Sequence, residues 1–130
     1  MNNEITDLLE IWNPFPNMNQ NFHIHALHDD YEGFRILLQN DDSEILRITF
    51  KDKITYRNTD EMYYLKSWGN SGRKLDNTFY KVINSSFIHD FLKEMDGLTY
   101  KVYDIEHYFI STDCDCIDIL SEKPPIVDWI

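Results

Sequence analysis

Between residues 22 and 57, apolar side chains alternate with polar ones, and short polar turns interrupt the alternation. In the segment 45–50, Leu46, Ile48 and Phe50 share one face. A period of two is that of a strand with one buried face, so it limits what this part of the chain can form. The pattern predicts an antiparallel meander of four strands joined by tight turns, at 22–27, 34–39, 45–50 and 54–57.

Three other segments are predicted as helices, the first and third from apolar residues that repeat with the period of a helix, and the second from the residues at its start. They are 3–12, 59–68 and 86–96. The first carries apolar residues at i, i+3, i+4 and i+7, and Asn58 with Glu61 resembles a capping box at the start of the second. Further strands are predicted at 78–83, 100–111 and 116–120. The predicted fold is therefore α+β, a mostly antiparallel sheet of about six or seven short strands with about three helices.

The length of 130 residues fits one domain, predicted over 1–130. The N-terminal residues 1–4 have neither the basic nor the apolar region of a signal peptide. No apolar run approaches the roughly 20 residues that a membrane span needs. The sequence therefore predicts a cytoplasmic protein.

The charge of the chain is strongly negative. Twelve basic and 23 acidic side chains give a net charge of −11. Such a surface repels nucleic-acid phosphates and anionic lipids, and it attracts basic proteins. We therefore predict a basic protein partner, with no nucleic acid and no membrane. The alternative is that the acidity only keeps the protein soluble.

Histidines and cysteines supply weak candidates for metal ligands. On a strand, His23 and His25 would point to the same face, as two zinc ligands require. Cys114 and Cys116 could add thiolates, although their spacing is not that of a structural zinc site. Residues i and i+2 also make a poor disulfide. The sequence predicts no metal and no cofactor, and a metal-dependent enzyme built on His23 and His25 is kept as an alternative.

Catalytic motifs of other kinds are missing from the sequence. It has no nucleophile elbow and no phosphate-binding loop, and it contains only four glycines. Asp104 and Glu106 would share one face of the strand 100–111, with Tyr108 next along that face. A carboxylate pair could serve acid–base chemistry only in an apolar pocket. A solvated sheet face explains the pair more simply, so we predict no enzymatic activity.

Aromatic residues make up 15% of the chain, more than one core needs. Tyrosine and tryptophan suit protein interfaces because they combine apolar area with a polar tip. The predicted partner-binding residues are Asp104, Glu106, Tyr108, Tyr63, Trp68 and Trp129. The apolar tail 126–130, after Pro124 and Pro125, is predicted to dock onto its own domain or onto a neighbour. The second outcome would make the protein a self-associating structural subunit.

Several short runs between residues 50 and 127 resemble those of small bacterial immunity-like proteins encoded near polymorphic toxins. The runs are 56–61 (YRNTDE), 79–85 (FYKVINS), 107–110 (HYFI) and 117–120 (IDIL), followed by Pro124 and Pro125. The resemblance implies a cytosolic protein that binds and blocks a toxin domain, and it supplies no active-site residues. Our leading prediction is thus a non-enzymatic acidic binding protein, an immunity protein that neutralises a basic toxin domain.

Overall fold

The fold was analysed in a computed structural model, which describes residues 7–14, 20–60, 77–95 and 104–130. Within these ranges the chain forms nine strands and one helix. In chain order they are β1 (Leu8–Ile11), β2 (Phe22–Asp30), β3 (Gly33–Asn40), β4 (Ile45–Phe50), β5 (Lys53–Asp60), β6 (Phe79–Ile83), α1 (Ser86–Glu94), β7 (Glu106–Ser111), β8 (Asp115–Ser121) and β9 (Ile126–Trp129). The helix is too short to cross a bilayer, and no other helix is found among the described residues.

The strands form two antiparallel sheets. The first has the order β1-β6-β7-β8-β5, and the second has the order β2-β3-β4-β9. The predicted meander is thus present in β2, β3 and β4, whereas β5 leaves it and pairs with β8 in the first sheet. The two inner faces share one core, which is a sandwich arrangement.

Alternation in the sequence explains the core of the second sheet. In β3, Phe34, Ile36 and Leu38 are buried, while the intervening residues are half-buried. In β2 the alternation fails because the pairing with β3 shifts between Ile24 and Ala26. An extra residue in a strand moves the following side chains to the other face. Leu27, and not Ala26, therefore packs against the core.

The outer face of the first sheet is also apolar. Tyr80, Val82, Phe109 and Cys116 form a second buried cluster, and Leu9 packs against it. The strands β7 and β8 are buried on both faces for this reason. Helix α1 lies near β7 on this side of the molecule.

The predicted fold class, α+β with about three helices, is wrong. Among the described residues the chain is mostly antiparallel sheet with a single short helix. Residues 8–11 of the first predicted helix are strand β1, which pairs with β6. Trp12 packs against the core between the sheets, whereas Leu9 packs against the cluster on the outer face of the first sheet. Side chains of an extended segment point to both faces of a sheet, so one such segment can contact both clusters.

The second predicted helix, 59–68, is contradicted at its start. Residues 58–60 continue β5 and pair with β8 as far as Asp60 opposite Asp115, so Asn58 does not begin a helix. Residues 61–68 lie outside the described part of the chain. Tertiary pairing here outweighs the local capping signal. The third predicted helix, 86–96, is present as α1, which is capped by Ser85.

Two smaller predictions also change. Within the predicted strand 100–111, Asp104 lies outside the strand in a left-handed conformation (φ 59°), and β7 begins at Glu106. Residues 126–129, predicted only as part of an apolar tail, form an additional strand. This strand pairs with β4, and the predicted tail therefore docks onto its own sheet.

Candidate functional site

Two turns between consecutive strands carry acidic side chains, no basic ones and no salt bridge among the described residues. The turn between β3 and β4 contains Asp41, Asp42 and Glu44, and all of them are exposed. The turn between β7 and β8 contains exposed Asp113 and ends at half-buried Asp115. We call them the acidic turns.

A buried asparagine organises the first acidic turn. Asn40 is 3% exposed, and its side-chain oxygen accepts hydrogen bonds from the backbone N–H groups of Asp42 (3.0 Å) and Glu44 (2.9 Å). Its amide nitrogen donates to the carboxylate of Glu44 and to the side-chain oxygen of Gln20, both at 2.9 Å. Ser43 completes the turn in a left-handed conformation, φ 61°. The carboxylates therefore project from a backbone that is fixed before any partner arrives.

Hydrogen bonds connect the two acidic turns across the end of the sandwich. Thr78 Oγ1 donates to the carbonyl of Gln20 (3.4 Å), and the N–H of Ser111 donates to the carbonyl of Thr78 (2.8 Å). In the second turn, the N–H of Thr112 donates to the carbonyl of Asp115 (2.9 Å). Since Gln20 also contacts Asn40, both turns lie at the same end of the molecule.

Basic side chains lie elsewhere, and most of them are paired. Of the eight lysines and arginines in the described ranges, only Lys51 and Lys93 lack a salt bridge there. The pairs are Arg35–Asp30, Arg47–Asp128, Lys53–Asp29, Arg57–Asp118, Lys81–Glu106 and Lys123–Asp52. No pair involves an acidic turn, so the charge of these turns is not neutralised by described basic residues.

Two of these pairs shift the pKa of a carboxyl. The hydrogen bond from Arg35 lowers the pKa of Asp30, and the hydrogen bond from Arg47 lowers that of Asp128. Both carboxylates therefore remain ionised to lower pH than an isolated aspartate. Their charge is compensated locally, in contrast to the charge of the acidic turns.

Two of the predicted partner-binding residues contact each other. The hydroxyl of Tyr108 donates to Glu106 (2.7 Å), and Lys81 approaches the same carboxylate oxygen at 3.2 Å. Tyr108 is fully buried, however, and its ring lies in the core against Trp12. Burial, followed by the hydrogen bond to Glu106, raises the pKa of Tyr108. Asp104 is exposed and is not part of this contact.

Trp129 is placed next to the first acidic turn. It lies opposite Leu46 in the register of β9 with β4, and it is 41% exposed. Its ring also packs against Phe22, with centroids 6.1 Å apart. Tyr63 and Trp68 lie outside the described residues. The structure thus brings Trp129 and the acidic turn together, which the sequence pattern alone does not indicate.

The candidate metal ligands do not converge among the described residues. His23 and His25 are exposed on β2, and His23 contacts the side chain of Gln39 (3.3 Å). Cys114 is exposed in the second acidic turn, Cys116 is buried in β8, and no disulfide joins them. No group of three potential ligands is found in the described ranges.

A buried polar network lies on the outer face of the first sheet. His107 Nε2 is 2.6 Å from Asp118 Oδ1, and His107 Nδ1 is 2.6 Å from Ser85 Oγ. His107 and Asp118 are 3% and 1% exposed. Arg57 donates to the other oxygen of Asp118 (3.1 Å), and its guanidinium lies 4.1 Å from the ring of Phe87.

This network contains the residue types of a hydrolytic triad in a different arrangement. In such triads the serine bonds to Nε2 and the carboxylate to Nδ1, whereas here the two nitrogens are exchanged. Ser85 is only 7% exposed, and its hydroxyl already accepts a hydrogen bond from the N–H of Ile88 as the cap of α1. The arrangement therefore fits the docking of α1 onto β7 and β8.

The residues of this network are visible in the sequence, but the contacts between them are not. Ser85 lies in the predicted helix start, and His107 lies in a predicted strand. The available signal was Asp118, a charged residue within the apolar run 116–120. A carboxylate in a strand that is buried on both faces needs partners, and His107 on the neighbouring strand is one of them. The sequence predicts a turn at both places. Pairing between strands that are distant in sequence places the two turns at the same end of the sandwich.

In comparisons with protein-family models, curated proteins and solved structures, nothing matches the chain. The architecture and the acidic turns define the protein only as an antiparallel two-sheet protein with a negatively charged end. The resemblance to immunity-like proteins stays a prediction.

Proposed function

We propose that the protein is a non-enzymatic binding protein that recognises a basic protein partner through its acidic turns, as an immunity protein that neutralises a toxin domain. The observation that supports this most directly is the distribution of charge. The described basic residues lie outside the acidic turns and are mostly paired with other acids. The carboxylates at one end are left to attract a partner.

The geometry of the first acidic turn suits this role. Uncompensated charges of one sign steer an oppositely charged protein and raise its association rate. Asn40 holds the turn in one conformation, so little conformational entropy is lost on binding. Trp129 adds a partly exposed aromatic side chain beside the turn, and such residues often anchor interfaces.

The test uses the protein encoded next to this one as the candidate partner. Asp41→Asn, Asp42→Asn and Asp113→Asn together remove three charges from the acidic turns. We expect the association rate to fall roughly tenfold at low salt, because steering depends on uncompensated charge. Rising ionic strength should weaken binding by the unaltered protein and reduce the difference between the two proteins. Surface plasmon resonance at several salt concentrations measures both effects.

The matched control removes the same charge elsewhere. Glu10→Gln, Asp90→Asn and Glu94→Gln change exposed acids outside the acidic turns. We expect this control to retain most of the association rate. An equal loss in both variants would show that only net charge matters. If the neighbouring protein does not bind, and co-expression does not protect cells from it, the proposal is wrong.

Trp129→Ala tests whether Trp129 contributes a contact in the complex or contributes to the electrostatic attraction that precedes it. A contact that forms after encounter acts mainly on dissociation, so we expect faster dissociation with a nearly unchanged association rate. Unchanged association and dissociation rates would place Trp129 outside the interface.

A further inference from the structure

Strand β9 lies at the edge of its sheet, and no strand among the described residues pairs with its outer side. The N–H of Ile130 donates to the carbonyl of Ile45 on β4 (2.9 Å). In an antiparallel pair, alternate residues direct their backbone groups toward the partner strand, so Asp128 and Ile126 also face β4. The N–H and C=O groups of Val127 and Trp129 therefore point away from the sheet. They form a short row of backbone donors and acceptors that no described strand covers.

The other edge strands carry features that hinder pairing with another chain. The pairing of β2 contains a register shift between Ile24 and Ala26, and that of β5 contains one between Lys53 and Thr55. Strand β1 is regular, but it carries Glu10, which has no ion pair within the described residues. Bulges and uncompensated charges are both common means of protecting an edge.

Strand β9 lacks these protections. Its pairing with β4 has no register shift, and its charged residue, Asp128, is neutralised by Arg47 at 2.6 Å. Ile126 and Ile130 are 51% and 62% exposed. The edge therefore combines free backbone groups with exposed apolar side chains and no uncompensated charge.

If β9 pairs with β9 of a second copy of this chain, the charge distribution favours one relative orientation of the two strands. Ile126 lies near a corner where Lys51 and Lys123 balance Asp52 and Glu122, whereas Trp129 lies beside the first acidic turn. Parallel pairing of two β9 strands would bring two acidic turns together. Antiparallel pairing instead places each acidic turn beside the balanced corner of the other copy, which avoids repulsion between like charges.

We propose that β9 pairs antiparallel with β9 of a second copy of this chain and so joins two four-stranded sheets into one continuous sheet. With Val127 at the twofold axis, its N–H and C=O groups bond to those of Val127 in the other copy, and Trp129 N–H donates to the carbonyl of Pro125. In this register Ile126 lies opposite Asp128 of the second copy, so the two carboxylates are not directly opposed. This dimer does not depend on the proposed binding of a basic protein partner.

The register predicts an effect that depends on the sign of an introduced charge. Ile126→Glu replaces an apolar side chain at the joined edge with a carboxylate opposite the Asp128–Arg47 pair and leaves an added negative charge uncompensated there, so we expect the dimer dissociation constant to rise at least roughly tenfold. Ile126→Lys sets a cation there, and the constant should change much less. The control is Ile11→Glu on β1, because Ile11 is 52% exposed against 51% for Ile126. Sedimentation equilibrium over a range of protein concentrations measures all four proteins, and circular dichroism verifies that each is folded.

Hydrogen exchange tests the same interface in the unaltered protein. The amides of Val127 and Trp129 should become more protected as protein concentration rises. Added salt should strengthen the dimer, because it screens two copies that each carry a charge of −11. The complex with the proposed basic partner should instead weaken as salt is added. The opposite salt dependence allows either proposal to be rejected without rejecting the other.

Three outcomes would overturn the dimer. One is a monomer at every concentration. Another is a dimer that Ile11→Glu weakens and Ile126→Glu does not. The last is a monomer whose Val127 amide becomes protected only when the neighbouring gene's product is added, since β9 would then receive a strand of a different protein.

Discussion

Tyr108 shows how one buried polar group is accommodated in the core. Its ring packs between the sheets against Trp12 and Phe50, and its hydroxyl reaches Glu106 at the rim, where Lys81 also approaches. Burial disfavours the phenolate, and a neighbouring carboxylate disfavours it further. Both effects raise the pKa of Tyr108 above its usual value of 10.0.

Tyr108→Phe should therefore have an effect that depends on pH. Near neutral pH we expect the variant to lose about 1 kcal/mol of stability, because the hydrogen bond to Glu106 is removed and the packing is kept. Above a pH of about 10 the unfolded protein releases the Tyr108 proton while the folded protein retains it, so stability of the unaltered protein falls. The stability difference between the two proteins should narrow as pH rises past this value.

Urea unfolding at a series of pH values measures this difference. Tyr31→Phe is the control, since Tyr31 is 97% exposed and its removal should leave stability at neutral pH unchanged. A difference between Tyr108→Phe and the unaltered protein that stays constant from neutral to strongly alkaline pH would contradict the prediction.

At the scale of elements, the sequence predicted strands better than helices. In β3 and β4 buried and half-buried residues alternate strictly, and the bounds of both strands lie close to the predicted ones. The segment 8–11 fits both periods, since four residues are too few to distinguish them, and its pairing with β6 decides the outcome. Pairing with β8 likewise decides the end of β5. These are contacts between residues far apart in sequence, which local patterns do not contain.

Helix α1 has no fully buried residue, in contrast to the central strands β3, β4, β7 and β8. Its start is held by polar contacts instead. Ser85 caps it and contacts His107, and the N–H and hydroxyl of Ser86 both donate to Asp7, at 2.6 and 2.9 Å. The apolar stripe predicted from the sequence is real, but Leu92 at its outer side is 43% exposed.

This arrangement predicts an unusual ranking of substitutions in α1. Ser85→Ala should lower the free energy of unfolding by about 2 kcal/mol, because it removes the cap and leaves His107 without one partner. Leu92→Ala should change it by less than about 0.5 kcal/mol, because the side chain is largely exposed. Denaturant unfolding of both variants checks the ranking. A larger loss for Leu92→Ala would show that apolar packing, and not the polar start, holds the helix.

At the scale of the whole molecule, composition gave the sign of the charge but not its arrangement. The net charge of −11 is compatible with charge spread evenly over the surface. The structure instead pairs Asp29 with Lys53 and Asp30 with Arg35 at one hairpin, and leaves Asp41 and Asp42 without described cationic partners. The predicted partner-binding residues were chosen by type, so they missed the acidic turns, which depend on how the strands are ordered.

Two variants with the same change in net charge should therefore have opposite effects on stability. Asp41→Asn with Asp42→Asn removes repulsion, so we expect the free energy of unfolding to rise slightly at low salt. Asp29→Asn with Asp30→Asn removes attraction to Lys53 and Arg35, so we expect it to fall. Both differences should shrink as salt is added, because screening weakens repulsion and attraction alike. Urea unfolding at low and high ionic strength measures both changes in the free energy of unfolding. If the two variants change it with the same sign, net charge and not its arrangement controls the stability of this fold.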